Sequence, residues 1–160
     1  MDKRRIFFQE LISLASLDKR ICLIVPDVGF SFTEKFQELY PERYFNFGVT
    51  EESCVLIAAG LAIDGWKPYV YSMINFVLFR PAEMVRNGVV NHQANVKLIG
   101  VKGSEKYKFL GFSHNLVHNR EDLDFCKNIG LESFVPGDEQ ETRDIIKSTY
   151  SNGKPAYIRL

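Results

Sequence analysis

The chain has 160 residues, enough for one domain that buries about two-thirds of its extended-chain surface. Its 20 basic residues balance 20 acidic ones, so no global field draws it to nucleic acid or to an anionic membrane. Cys22, Cys54 and Cys126 lie far apart with no CxxC pair, which reads as reduced thiols in a cytoplasmic protein, and the charged N-terminal stretch is too interrupted for a signal peptide or a membrane span.

In chain order, Phe7, Leu11, Leu14 and Ala15 recur at helical spacing and predict a helix from about residue 4 to 17. "ICLIVP" follows as a short buried strand stopped by Pro26, then "FTEKFQELYPE" as a helix ended by Pro41, and "YFNFG" as a brief strand. The small residues Ala58, Ala59, Gly60 and Ala62 predict a closely packed helix from Glu51 to near Gly65, and "KPYVYSM" is the next strand. Phe79, Met84, Val85 and Val89 keep helical register, but Pro81 is tolerated only near a helix start, so that helix is expected to begin around Arg80. "VKLIGV" is an unbroken apolar run, as in a strand buried on both faces of a parallel sheet. The stretch "KGSEKYKFLGFSHNLVHNR" reads as a long irregular loop, a kind of segment that is often functional. "EDLDFCKNI" (helix), "LESFVP" (strand), "DEQETRDIIKSTYS" (helix capped by Asp138) and "PAYIRL" (strand) complete an open, mostly parallel α/β sheet with helices on both faces.

Several chemistries are excluded by pattern. There is no P-loop, no GxGxxG, no HExxH and no GxSxG, and the HxxxH pair His114 and His118 sits in a glycine-containing loop without further ligands. In "TEES", Thr50 is a natural N-cap, and Glu51 and Glu52 suit the positive end of a helix dipole. Taken alone, that tetrapeptide reads as capping rather than catalysis.

The order of motifs alters that reading. "RYFNFGVTEESCVLIAAGLAIDGWKPYVYS", "NFVLFRPAEMVRNGV", "NVKLIGV", "GFSHN", "REDLDFCKNIGLESFVPGDEQETRDII" and "KPAYIRL" follow one another as in the pyrimidine-binding domain of transketolase-like thiamine diphosphate enzymes, which the chain resembles from about Arg4 to Leu160. The resemblance implies the thiamine diphosphate-binding fold over residues 1–160, and it implies roles for individual residues. Glu51, in "GVTE", matches the glutamate that shares a proton with the cofactor's aminopyrimidine ring and so activates the thiazolium. Phe76 matches the aromatic that stacks on that ring, Phe79 would help close the pocket, and Met73 stands where a further aromatic is common. His114 matches a histidine near the reacting substrate. Asp27 and Ser31, in "PDVGFS", and Arg159, in "YIRL", match substrate-binding positions, the serine and the arginine being phosphate contacts.

Two departures concern the substrate end. Lys102 stands where the family has a histidine, and Leu110 stands where it has an aspartate that reads substrate hydroxyls, so ordinary ketose phosphates are doubtful substrates. The Mg²⁺ and diphosphate ligands, a GDG motif with a later asparagine, have no match here. The resemblance therefore implies the pyrimidine-binding subunit of a split transketolase-like enzyme, joined to a separate diphosphate-binding subunit that holds Mg²⁺, most simply as an α2β2 assembly. Its reaction would move a two-carbon ketol or acyl-carbanion unit between small carbonyl compounds. A thiamine-dependent 2-oxo acid decarboxylase subunit and a catalytically silent paralogue with an assembly role are the alternatives.

Overall fold

The computed structural model describes residues 2–103 and 105–160. Six strands form a single sheet: β1 (Ile21–Val25), β2 (Tyr44–Asn46), β3 (Lys67–Met73), β4 (Lys97–Val101), β5 (Glu132–Phe134) and β6 (Ala156–Arg159), in the order β2-β1-β3-β4-β6-β5. Every pairing is parallel, so the sheet is wholly rather than mostly parallel. The apolar runs predicted this: all five residues of β1 are buried, because helices cover both faces.

On one face, α1 (Lys3–Leu17), α2 (Glu34–Leu39) and α6 (Glu139–Asn152) enclose a core built around Phe7, Leu11, Leu23, Phe36, Tyr69, Ile99 and Ile146. On the other, α3 (Glu51–Ile63), the helical segment from Asn75 to Val90 and α5 (Glu121–Ile129) enclose Cys54, Val55, Ala58, Val70, Val85, Leu98 and Cys126. All three cysteines are buried and free, and burial pushes the thiols of Cys22 and Cys126 up to about 12, which removes them as nucleophiles. No helix among the described residues is long and apolar enough to cross a membrane.

Three local expectations are corrected. The helix expected from around Arg80 begins at Ala82, with Pro81 at its N-cap (φ −90°, ψ 30°): α4 (Ala82–Met84) is preceded by a π-turn over Asn75–Phe79 that was not expected and followed by another over Val85–Val90. A proline supplies no N–H, so the helical run breaks at Arg80–Pro81: Arg80 N–H donates to the Asn75 carbonyl five residues back and closes the π-turn, and the Pro81 carbonyl accepts from Val85 N–H to start the next turns. Thr50 precedes α3 but its side chain does not cap it; its hydroxyl donates instead to the Phe47 carbonyl, 3.0 Å away. The segment Glu105–Ser113, expected to be irregular, forms 3₁₀ turns broken at Gly111, whose φ of 62° needs glycine. Asp138 does cap α6, accepting from Glu141 N–H at 2.8 Å.

Candidate functional site

In a parallel α/β sheet, ligands collect at the carboxyl ends of the strands where the strand order reverses, because the connections there diverge and leave a crevice. Here the chain runs from β1 outward to β2 and returns to β3 on the other side of β1, so the reversal falls between β1 and β3. A cleft of about 330 Å³ lies there. Its walls are Asp27, Val28 and Gly29 after β1, Tyr71, Ser72 and Met73 at the end of β3, and Val101 and Lys102 at the end of β4. Met73 and Val101 are register partners, so these two strands end level and form a flat floor. Ser72 is 1 % exposed, and its buried Oγ has no hydrogen-bond partner among the described residues.

Phe76 and His114 close one side of this cleft, their rings meeting edge to face with centroids 4.9 Å apart. His114 belongs to a segment that is tied down from several sides. Asn75 Nδ2 donates to the Phe112 carbonyl at 2.8 Å, Asn115 Nδ2 donates to the carbonyls of Tyr107 and Gly111, and Ser113 Oγ lies 2.7 Å from His114 Nδ1. Gly103 makes this approach possible, since a Cβ there would sit 2.5 Å from the His114 carbonyl oxygen. The histidine is therefore held in place by backbone contacts while its ring faces the cleft.

Glu51 does not line the cleft and is connected to Phe76 through Arg80. It opens α3, its side chain is 8 % exposed, and its Oε1 accepts from Arg80 Nη1 at 2.5 Å. The same guanidinium lies over the Phe76 ring, with Cζ 3.8 Å from the centroid. Glu51, Arg80 and Phe76 thus form a layered constellation in which a buried carboxylate and an aromatic face hold a flat N–C–N group between them. Glu52, the neighbouring carboxylate, is exposed and points away from the core. Arg80 is the residue that sequence reading missed as a site residue. Its signal was its position four residues after Phe76, which puts the two on one helix face.

The remaining residues expected at the site divide into two groups. Asp27, Met73, Lys102 and His114 line the cleft with Phe76. Asp27 sits in a left-handed conformation at φ 54°, held by a reciprocal pairing with the Asn46 side chain, and Lys102 Nζ donates to Asn119 Oδ1 at 2.9 Å. Ser31, also left-handed at φ 72°, does not line the cleft; its N–H donates to Glu34 Oε1 at 2.7 Å, which fixes the start of α2. Phe79 does not reach the cleft either, because its ring packs edge-on against Phe125 of α5 with centroids 5.8 Å apart. Arg159 is tied up with Asp122, which is fully buried, and with the Asn119 carbonyl, at 2.9 and 2.7 Å, and Asp122 also accepts from the Tyr157 hydroxyl. These contacts engage Nη1 and orient the guanidinium against the buried carboxylate.

The Glu51 and Phe76 arrangement fits the aminopyrimidine of thiamine diphosphate. Arg80 demonstrates the fit, since its planar N–C–N group stacks on Phe76 and hydrogen-bonds Glu51 as an aminopyrimidine edge would. Among the described residues, no group of three or more His, Cys, Asp or Glu side chains is placed to hold a metal ion.

Comparison with known proteins agrees with this geometry. The sequence family described as the transketolase pyrimidine-binding domain matches residues 1–160. The chain is 31 % identical over 159 residues to an apulose-4-phosphate transketolase subunit of Phocaeicola vulgatus, covering 98 % of this chain and 50 % of that one. It is 34 % identical over 153 residues to the 1-deoxy-D-xylulose-5-phosphate synthase of Listeria monocytogenes, covering 94 % of this chain and 24 % of that enzyme. Among solved structures, a split gene transketolase in the form of an inactive β4 tetramer superposes with a TM-score of 0.85 at 29 % identity, over 99 % of this chain and 50 % of that one. The chain spans half or less of the length of each of these relatives.

Proposed function

The chain belongs to the transketolase pyrimidine-binding domain family, and from that premise we propose that it is the pyrimidine-binding component of a split, thiamine diphosphate-dependent transketolase-like enzyme. The observation that carries the proposal is the link Arg80 makes between buried Glu51 and Phe76, the latter lining a cleft bounded by His114. When bound, thiamine diphosphate supplies a thiazolium carbon that adds to carbonyls and an electron sink for the C–C bond that breaks. The residues of this chain orient that chemistry and manage its protons. Phe76 offers a stacking face. Glu51, largely removed from water, would hold the bound pyrimidine ring and exchange a proton with it at Oε. His114, fixed by its backbone contacts, holds or takes a proton on the substrate side of the cleft. Asp27 and Lys102 line the same space and are assigned to substrate binding, whereas Ser31, Phe79 and Arg159 do not line it.

The diphosphate and Mg²⁺ are assigned to a second subunit. One observation supports this: α3 shows an uncovered apolar face, with Leu56 48 % and Ile63 64 % exposed next to Ile57 and Gly60. An apolar stripe of that kind on a helix that opens with the cofactor-binding carboxylate suits an interface that completes the site. Among the relatives of which this chain covers half are a transketolase subunit and a split gene transketolase, which favours carbon-unit transfer over decarboxylation. The test mixes this chain with a diphosphate-binding transketolase subunit, thiamine diphosphate and Mg²⁺, and follows exchange of the thiazolium proton by NMR. Exchange is expected only with both chains present. Enhanced exchange in this chain alone, or none with the partner, refutes the proposal.

A further inference from the structure

We propose that Arg80 is a built-in occupant of the pyrimidine seat, which the cofactor must displace in order to bind; this rests on the function proposed above. The seat has two attractive elements, the open face of Phe76 and the Glu51 carboxylate. Arg80 uses both, with Cζ 3.8 Å above the ring centroid and Nη1 2.5 Å from Oε1. A guanidinium at van der Waals distance over the ring leaves no room on that face for a second flat group, so the two occupancies exclude each other.

The contact has a physical reason. Glu51 is 8 % exposed, and a carboxylate removed from water without a partner is strongly unfavourable. Arg80 supplies the partner in the chain without cofactor and, being 40 % exposed, reaches solvent once it is released. It sits at the end of a π-turn just before Pro81, where the helix lacks one backbone N–H and its ladder is already interrupted. The occupied seat lowers the apparent affinity for cofactor by the fraction of time it is open. An ion pair with a half-exposed cation and one cation–π contact together correspond to an open fraction of roughly one-tenth.

Calorimetric titration of thiamine diphosphate with Mg²⁺ into the assembled two-subunit complex tests this, comparing wild type, Arg80→Ala and Arg80→Lys. Arg80→Ala is expected to bind about tenfold tighter, with Arg80→Lys in between because an ammonium cannot lie flat on the ring. In ¹⁵N-labelled wild-type complex, the Arg80 guanidinium resonance is expected upfield under the Phe76 ring current and to lose that shift at saturation with cofactor. Equal or weaker binding by Arg80→Ala, or a resonance that stays upfield at saturation, overturns the proposal while leaving the cofactor-binding role intact. Failure of every variant to bind overturns the cofactor-binding role itself, and the Arg80 proposal with it.

Discussion

Replacing Glu51 by glutamine separates chemistry from folding, because the two effects differ in size by orders of magnitude. Glutamine keeps the volume and an acceptor for Arg80 but removes the charge and the transferable proton. On the folding side, the charge interacts with the N-terminus of α3, about 0.3–1 kcal/mol, and with Arg80, at most about 1 kcal/mol since the cation is 40 % exposed. Relief of carboxylate desolvation offsets part of this, so the net loss is about 1 kcal/mol, or roughly 2–4 °C in Tm for a domain of this size. On the chemical side, loss of a positioned proton donor and acceptor lowers the rate by roughly 10²–10⁴, equivalent to about 3–5 kcal/mol of barrier. Thiazolium proton exchange in the assembled complex, with thermal melting of the same samples, measures both. Exchange within threefold of wild type would refute the catalytic assignment, and a Tm loss beyond about 10 °C would show that Glu51 is chiefly structural.

Three further outcomes follow from the packing. Gly103→Ala places a methyl group 2.5 Å from the His114 carbonyl oxygen, so the His114 segment must shift; turnover in the assembled complex is expected to fall at least tenfold, by analogy with small misplacements of catalytic groups, while the far-ultraviolet dichroism of the chain stays unchanged. Leu56→Lys with Ile57→Lys alters only exposed positions of α3; the chain is expected to fold within about 0.5 kcal/mol of wild type and to fail to co-elute with its partner. Asp18 receives hydrogen bonds first from Arg20 and also from Lys67 and Tyr150, which hold its carboxyl well below the usual carboxylate range. Its contribution, about 1–2 kcal/mol, is therefore complete above the unfolded-state value near 3.8 and is lost as pH falls below it. Urea titrations are expected to show Asp18→Asn less stable than wild type at pH 7, with the gap closing towards pH 2.

Much of the architecture and part of the site lay in local sequence. "ICLIVP" and "VKLIGV" are buried strands because only a sheet covered on both faces accepts unbroken apolar runs, and Asp138 caps α6 because its partner, Glu141, is three residues away. Phe76, Met73, Lys102, Asp27 and His114 were identified from short motifs, and the ends of parallel strands bring them to one cleft. The rest depended on contacts between residues distant in the chain. Pro81 reads locally as a helix start and does precede α4, but the π-turn over Asn75–Phe79 that leads into it has no local signal. Arg159 reads as a free cation until Asp122, 37 residues earlier, is found buried against it, and Phe79 is directed away from the cleft by Phe125. The pairing of Glu51 with Arg80 spans 29 residues and joins two helices. Periodicity and motif order determined the sheet, its helices and the candidate carboxylate, because those follow from each residue's immediate neighbours. The tertiary structure alone decided which charges are already neutralised and which face the cleft, because electrostatic partners are chosen by proximity in space.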